Sequence, residues 1–134
     1  MATITDETLP IRLSEDVVRV RQHVRTRAVE IGLGLVDQTK IVTATSELAR
    51  NALEYGGGGT ARVEVLMLGA RKGLRITFED RGPGIPDIGQ AMKDGFTTGG
   101  GLGHGLGGAK RLVEEFSISS VVGQGTKVMI ARWK

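Results

Sequence analysis

The stretch Asp80-Arg81-Gly82-Pro83-Gly84-Ile85-Pro86 follows directly on residues 74–79, whose apolar and polar side chains alternate as in a half-buried strand. A carboxylate at the end of a strand, followed by glycine-bounded turns, can accept a hydrogen bond from a flat donor such as a purine amino group. On its own, this pattern is more typical of a tight turn than of a binding site.

A second glycine-rich stretch, residues 99–108, leads into a segment with the apolar spacing of a helix. Glycine accounts for 21 of 134 residues, and 11 of them lie between residues 82 and 108, so the excess is local. Glycines let the backbone approach a ligand closely, and the unpaired N–H groups that open a helix favour phosphate. The absence of Gly-Lys-Ser and Gly-Lys-Thr excludes a Walker A loop, and the tract lacks the preceding strand of a Rossmann fingerprint. For this tract alone, a flexible surface loop is the favoured interpretation.

Glu47 and Asn51 lie four residues apart in a predicted helix, so their side chains project side by side. They stand at the border of its apolar stripe, which comprises Ile41, Ala44, Thr45, Leu48, Ala52 and Tyr55. A carboxylate beside an amide oxygen offers a general base next to a ligand for a hard cation. Taken alone, the two residues are more typical of a solvated helix flank.

Hydrophobic patterning predicts the element order β-α-α-β-β-α-β-β in one domain, residues 1–134. This order favours an α+β two-layer sandwich, with a mixed, mostly antiparallel sheet covered on one face by three helices. The first strand, 7–13, is expected at a sheet edge because Pro10 cannot donate to a ladder. Ser14 and Asp37 are predicted N-caps of the first two helices, and the third carries its apolar side from Leu106 to Phe116. Hairpins are predicted around 69–73 and 123–125.

Composition narrows the function classes. The chain has no Cys, which excludes a disulfide scaffold, a Cys-based zinc site and a thiol nucleophile. The N-terminus lacks the basic and apolar regions of a signal peptide, and no apolar run is long enough to span a membrane, so we expect a cytoplasmic protein. The net charge is +3, and the few aromatic residues do not interleave with the arginines of 19–27. A solvated helix face is therefore favoured there over a nucleic-acid site.

The order of these features resembles the Bergerat nucleotide-binding fold of the gyrase, Hsp90, histidine-kinase and MutL ATPases. The likeness rests on the Glu47/Asn51 pair, the Asp80–Pro86 stretch, the glycine tract, and Gly123-Gln124-Gly125-Thr126 before the last strand. Within that family, the sequences of 46–51, 79–88, 95–103 and 110–116 are similar to small serine/threonine switch kinases, most of all the RsbT type of the stressosome.

The resemblance implies ATP and Mg²⁺ as cofactors and assigns roles to individual residues. Glu47 would be the general base, Asn51 would ligate Mg²⁺, and Asp80 would accept the adenine amino group. Gly84 would allow close approach, and Thr126 would support the adenine contact. The remaining implied nucleotide contacts are Gly82, Gly101, Leu102, Gly103, His104, Gly105, Leu106 and Lys110. His104 needs no catalytic role in this fold, and Lys110 is equally consistent with a surface lysine. Residues 87–100 would form the ATP lid.

The resemblance further implies a protein serine/threonine kinase that phosphorylates STAS-domain proteins and then engages a downstream regulator, typically a PP2C-type phosphatase. Neither nucleic acid nor membrane is an expected partner. Two alternatives keep the fold: an anti-sigma factor that sequesters a sigma subunit, and an ATP-dependent binding module with little catalysis. Histidine-kinase activity is not expected, because 134 residues leave no room for the helices that carry the phosphoacceptor histidine.

Overall fold

The computed structural model describes residues 1–93 and 105–134, and its elements follow the predicted order with one short helix added after the third strand. In chain order they are β1 (Ala2–Ile11), α1 (Ser14–Glu30), α2 (Leu35–Glu54), β2 (Gly59–Leu68), β3 (Arg71–Asp80), α3 (Ile88–Ala91), α4 (Leu106–Arg111), β4 (Glu115–Val121) and β5 (Gly125–Trp133). In the described part of the chain, no helix is long and apolar enough to cross a membrane.

The five strands form one sheet in the order β1-β2-β3-β5-β4. Every neighbouring pair is antiparallel, so the sheet in the described residues is wholly antiparallel rather than mixed. β1 lies at an edge, as its proline predicts. The register sets Asp80, the last residue of β3, directly opposite Thr126 near the start of β5. This pairing brings together two site residues that are far apart in the sequence.

The core lies between the sheet and the helices α1 and α2. The inward positions alternate along the strands and recur at helical spacing along the helices, as the sequence predicts. Fully or almost fully buried are Val17, Val20, Val24 and Ala28 of α1, Ile41, Ala44, Leu48 and Ala52 of α2, and Ala61, Val63, Val65, Leu74, Ile76, Phe78, Val128 and Ile130 of the sheet. The predicted two-layer α+β class is confirmed.

Both predicted helix N-caps are wrong. α1 has Leu13 as its N-cap, and the buried Asp16 reaches back so that its Oδ2 accepts from the backbone N–H groups of Arg12 and Leu13 at 2.9 and 3.0 Å. These hydrogen bonds hold the pKa of the Asp16 carboxyl below its usual value. In α2 the N-cap is Gly34, and Asp37 instead forms an ion pair with Arg132 at 2.6 Å. An acidic residue inside the first turn resembles an N-cap in sequence, because both positions favour negative charge.

Three further boundaries differ from the predictions. β1 begins at Ala2, before the predicted residue 7, because it pairs with β2 along its full length. The first hairpin turn is only Gly69-Ala70, since β3 already begins at Arg71. The predicted third helix ends at Arg111, and Phe116 belongs to β4. Apolar residues spaced over a short segment fit a helix and a strand alike, so pairing between strands decided this boundary.

Candidate active site

A pocket opens where α2 faces the adjacent ends of β3 and β5. Its lining comprises Leu48, Asn51, Ala52, Tyr55, Gly56, Phe78, Asp80, Pro83, Gly84, Ile85, Leu106, Thr126 and Val128. Five of these are predicted site residues: Asn51, Asp80, Gly84, Leu106 and Thr126. Apolar walls with a few convergent polar groups are typical of a pocket for a flat organic ligand.

Among the described residues that line this pocket, Asp80 is the only acidic one. Burial raises the pKa of its carboxyl, and hydrogen bonds from the backbone N–H groups of Gly82 and Thr126 partly oppose that shift. The bond from Gly82 to Oδ1 measures 2.9 Å. Within residues 1–93 and 105–134, no cationic side chain contributes to this pKa. A half-buried carboxylate without a cationic partner suits a ligand that donates a neutral N–H group.

Ser120 connects the two sides of the pocket and was not predicted as a site residue. Its hydroxyl accepts from the backbone N–H of Ile85 at 2.7 Å, donates to the carbonyl of Gly125 at 3.1 Å, and lies 2.8 Å from the Thr126 hydroxyl. One hydroxyl has one proton, so in this arrangement Thr126 donates to Ser120. The sequence did contain a sign of this role: Ser120 is a polar residue on the inward side of β4, where the other residues, Phe116 and Ile118, are apolar.

We expect Ser120→Ala to weaken ATP binding about tenfold, since it leaves the Ile85 N–H unpaired and releases the Thr126 hydroxyl. Ser120→Thr retains the hydroxyl and should restore much of the affinity. The matched control is Ser119→Ala, on the exposed side of the same strand. Titration calorimetry measures the affinities, and a KM for ATP that rises without a matching fall in kcat would distinguish positioning from general destabilisation. Equal affinities for Ser120→Ala and Ser119→Ala would contradict the role.

Gly56 forms a wall of the pocket and was not predicted as a site residue, although it opens the run Gly56-Gly57-Gly58-Gly59 that follows α2. A Cβ on Gly56 would collide with the side chain of Asp80, and a Cβ on Gly82 would lie 2.6 Å from the Gly56 Cα. Gly84 has a φ of +79°, and a Cβ there would lie 2.5 Å from the Val121 carbonyl oxygen. These close approaches are thus between parts of the protein. The length of the glycine run could have indicated a role beyond ending the helix, because one glycine is enough for that purpose.

We expect Gly56→Ala to reduce ATP affinity at least tenfold, because the added methyl group must displace the Asp80 carboxylate. Gly34→Ala is the control, since Gly34 also lacks a positive φ and a Cβ there meets nothing within 4 Å. Nucleotide titration of both variants, with thermal melts to verify folding, measures the effect. Wild-type affinity in a folded Gly56→Ala protein would contradict this account.

Glu47 lies one helical turn before Asn51 and faces the start of α4. Its side chain is 31% exposed, and its Oε1 lies 3.4 Å from the Arg50 guanidinium. A Cβ on Gly105, the N-cap of α4, would lie 2.6 Å from Glu47 Oε2, and Gly105 has a φ of +81°. The site therefore holds a solvent-accessible carboxylate between the pocket wall and the residue that opens α4.

The other predicted site residues lie away from the pocket or outside the described part of the chain. Lys110 is exposed on α4 and does not line the pocket. Gly101, Leu102, Gly103 and His104 lie outside the described residues, as do residues 94–100 of the predicted lid. The described part of that lid contains α3, where Asp87 caps the helix by accepting from the Gln90 N–H at 3.0 Å. Among the described residues, no group of three or more His, Cys, Asp or Glu side chains could hold a metal ion.

Residues 36–134 match the family model described as "Histidine kinase-, DNA gyrase B-, and HSP90-like ATPase". The chain belongs to this ATPase family, as the resemblance predicts. Among solved structures, it is similar to the catalytic domain of histidine kinase ThkA, with a TM-score of 0.55 at 16% identity over 96% of this chain and 98% of that one. That similarity shows the fold.

Within the family, the chain is 52% identical over 118 residues to the serine/threonine-protein kinase RsbT of Bacillus subtilis (strain 168), covering 88% of this chain and 89% of that protein. The predicted kinase class is confirmed: the chain is a protein serine/threonine kinase. The family and this class imply that it uses ATP. The structure of the RsbU and RsbW domains of a Mycobacterium tuberculosis protein is also similar, with a TM-score of 0.64 at 25% identity over 96% of this chain. This chain spans about a third of that protein chain, 32%.

Proposed function

We propose that this chain, as one domain of residues 1–134, transfers the γ-phosphoryl group of ATP to a serine or threonine of a STAS-domain protein in a partner-switching stress module. After transfer, the kinase is free to bind and activate a downstream regulator such as a PP2C-type phosphatase in the cytoplasm. The similarity to RsbT supports the phosphotransfer, and the similarity to a structure with RsbU and RsbW domains supports a role in partner switching.

The observation that carries this proposal is the arrangement of Glu47 and Asn51 on α2. Asn51 lines the pocket, whereas Glu47 lies one turn away with part of its side chain in solvent. A hydroxyl presented by another protein can therefore reach Glu47 from outside while a nucleotide occupies the pocket. A general base within hydrogen-bond reach of the attacking group is the geometric requirement for phosphotransfer to a hydroxyl.

The pocket residues fit an adenine nucleotide. Asp80 would accept a hydrogen bond from the exocyclic amino group of adenine, and the Thr126 hydroxyl would support the same contact. The apolar side chains of Leu48, Phe78 and Val128 line the pocket and would pack against the ring. This assignment explains why a carboxylate is kept half-buried without a cationic partner among the described residues.

Asn51 would hold Mg²⁺ through its side-chain oxygen. Because no cluster of acidic side chains or histidines lies nearby in the described residues, phosphate oxygens and water would supply the other ligands, which is the usual coordination of Mg²⁺ with a nucleotide. When bound, the ion neutralises charge on the phosphates. Gly101, Leu102, Gly103, His104, Gly105 and Leu106 are the proposed contacts near the phosphates, and residues 87–100 the proposed lid.

Glu47 takes the proton of the attacking hydroxyl. Arg50, 3.4 Å away, and the N-cap Gly105 on the other side limit the positions that the carboxylate can adopt. Such restriction matters because the efficiency of a general base depends on its alignment with the proton that it accepts.

The test is phosphotransfer from Mg·ATP to purified STAS-domain proteins encoded beside this chain, followed by intact mass and phosphosite mapping. We expect one added phosphate on a serine or threonine of one such protein. Failure of transfer, with ATP still bound and a sigma subunit captured, would favour the anti-sigma factor. ATP binding with neither transfer nor sigma capture would favour a binding module with little catalysis.

A further inference from the structure

A groove separates the exposed sides of α1 and α2. It is lined by Arg21, Gln22 and Arg25 of α1 and by Val42, Thr43 and Ser46 of α2. None of these residues belongs to the nucleotide pocket. The groove combines two cationic side chains with two hydroxyl groups and one aliphatic side chain, which is a surface suited to a polar, negatively charged partner.

The two arginines of the groove differ from their neighbours on α1. Arg19 forms an ion pair with Asp16 at 3.0 Å, and Arg27 forms ion pairs with Glu7 and Glu30. Among residues 1–93 and 105–134, no carboxylate pairs with Arg21 or Arg25, which lie one helical turn apart.

The sequence around the groove is also free of negative charge. Residues 17–29 of α1 contain no Asp or Glu, and neither do residues 38–46 of α2. The nearest acidic side chain farther along α2 is Glu47, the proposed base. The groove is therefore a local region of positive charge, although the net charge of the whole chain is only +3.

The groove is continuous with the active site along one face of α2. Thr43, Glu47 and Asn51 are spaced four residues apart, so their side chains form one row along the helix. Each step of this row advances about 6 Å. Thr43 lines the groove, Glu47 follows, and Asn51 lines the nucleotide pocket. A protein bound in the groove would thus place its neighbouring surface at Glu47.

We infer that the groove is the docking site for an acidic surface of the protein substrate, which binds Arg21 and Arg25 and thereby presents its serine or threonine hydroxyl to Glu47. This inference rests on the proposed phosphotransfer and adds a recognition site for the substrate. Aliphatic side chains on α1 on both sides of the arginines, Val18 at 39% and Val29 at 55% exposure, favour a folded protein over a small anion.

The test uses the full chain and the STAS-domain protein that accepts phosphate from it. We expect Arg25→Glu to raise the KM for that protein about tenfold, and the double variant Arg21→Glu/Arg25→Glu to raise it further, with ATP affinity unchanged. The effect should shrink in high salt, because attraction between surface charges is screened. Lys72→Glu, a reversal of an exposed charge at the β2–β3 hairpin, is the control and should leave both constants unchanged.

The possible outcomes separate the two proposals. Transfer by both arginine variants with the wild-type KM would overturn the docking site and leave the kinase assignment intact. No transfer by the wild-type chain to any STAS-domain protein would overturn the proposed function and, with it, the docking site. An acidic residue of the substrate whose change to lysine restores transfer by Arg25→Glu would identify the contact directly.

Discussion

Asp80→Asn is expected to lower ATP affinity about 100-fold while leaving the fold at least as stable as the wild type. Oδ1 of Asp80 accepts from the Gly82 N–H at 2.9 Å, the carboxylate also accepts from the Thr126 N–H, and its remaining lone pairs are left for the adenine amino group. An asparagine has one acceptor oxygen and one donor NH₂ group, so it must direct the NH₂ group at one or more of these donors. The variant loses a hydrogen bond to a charged acceptor and places its NH₂ group against another N–H donor. Together these changes cost roughly 3 kcal/mol of binding free energy.

The expected stability of the Asp80→Asn protein follows from the direction in which folding shifts the pKa of the Asp80 carboxyl. Burial raises the pKa of Asp80 above its value in the unfolded chain, so its contribution to stability is greatest below the unfolded pKa and is lost as pH rises through the folded pKa. At neutral pH the ionised carboxylate therefore destabilises the apo protein. Asparagine cannot ionise, so the thermal unfolding midpoint of the Asp80→Asn protein should equal or exceed that of the wild type.

Calorimetric titration with Mg·ATP and thermal melts at pH 7 measure the two effects. Glu79→Gln is the matched control, because Glu79 precedes Asp80 in β3 and is exposed. A folded Asp80→Asn protein with wild-type ATP affinity would refute adenine recognition by this carboxylate. Loss of both binding and stability would instead assign Asp80 a structural role.

Glu47→Gln is expected to reduce the rate of phosphotransfer by roughly 10²- to 10⁴-fold, the contribution typical of a general base, without changing ATP affinity. Glutamine preserves the size and the polar character of the side chain beside Arg50 and Gly105, but it cannot take the hydroxyl proton. Single-turnover transfer to the STAS-domain substrate measures the rate, and titration measures nucleotide binding.

Glu15→Gln controls for the loss of one carboxylate, because Glu15 is exposed in the first turn of α1 and distant in sequence from the site. Near-normal transfer by Glu47→Gln would overturn the assignment of the base. Weakened ATP binding in the same variant would show that Glu47 contacts the nucleotide or its metal, and the catalytic interpretation would then require revision.

Much of the fold could be predicted because it depends on local periodicity. The alternating strands, the apolar stripe of α2 and the edge position of the proline-containing strand all follow from neighbouring residues and the geometry of one element. The errors lie at helix ends and at Phe116, where one sequence pattern is compatible with two local structures. At those positions the hydrogen bonds of Asp16 and the pairing of β4 with β5 decided the outcome.

The same distinction between local patterns and long-range contacts applies to the candidate site. The helical spacing alone predicts that Glu47 and Asn51 lie side by side, because four residues make about one turn of any α-helix. By contrast, the pairing of Asp80 with Thr126, the packing of Gly56 against Asp80 and the orientation of Thr126 by Ser120 are visible only in the folded protein. Those contacts join residues distant along the chain, so they depend on strand register and on helix packing, and neither leaves a periodic signal in the sequence.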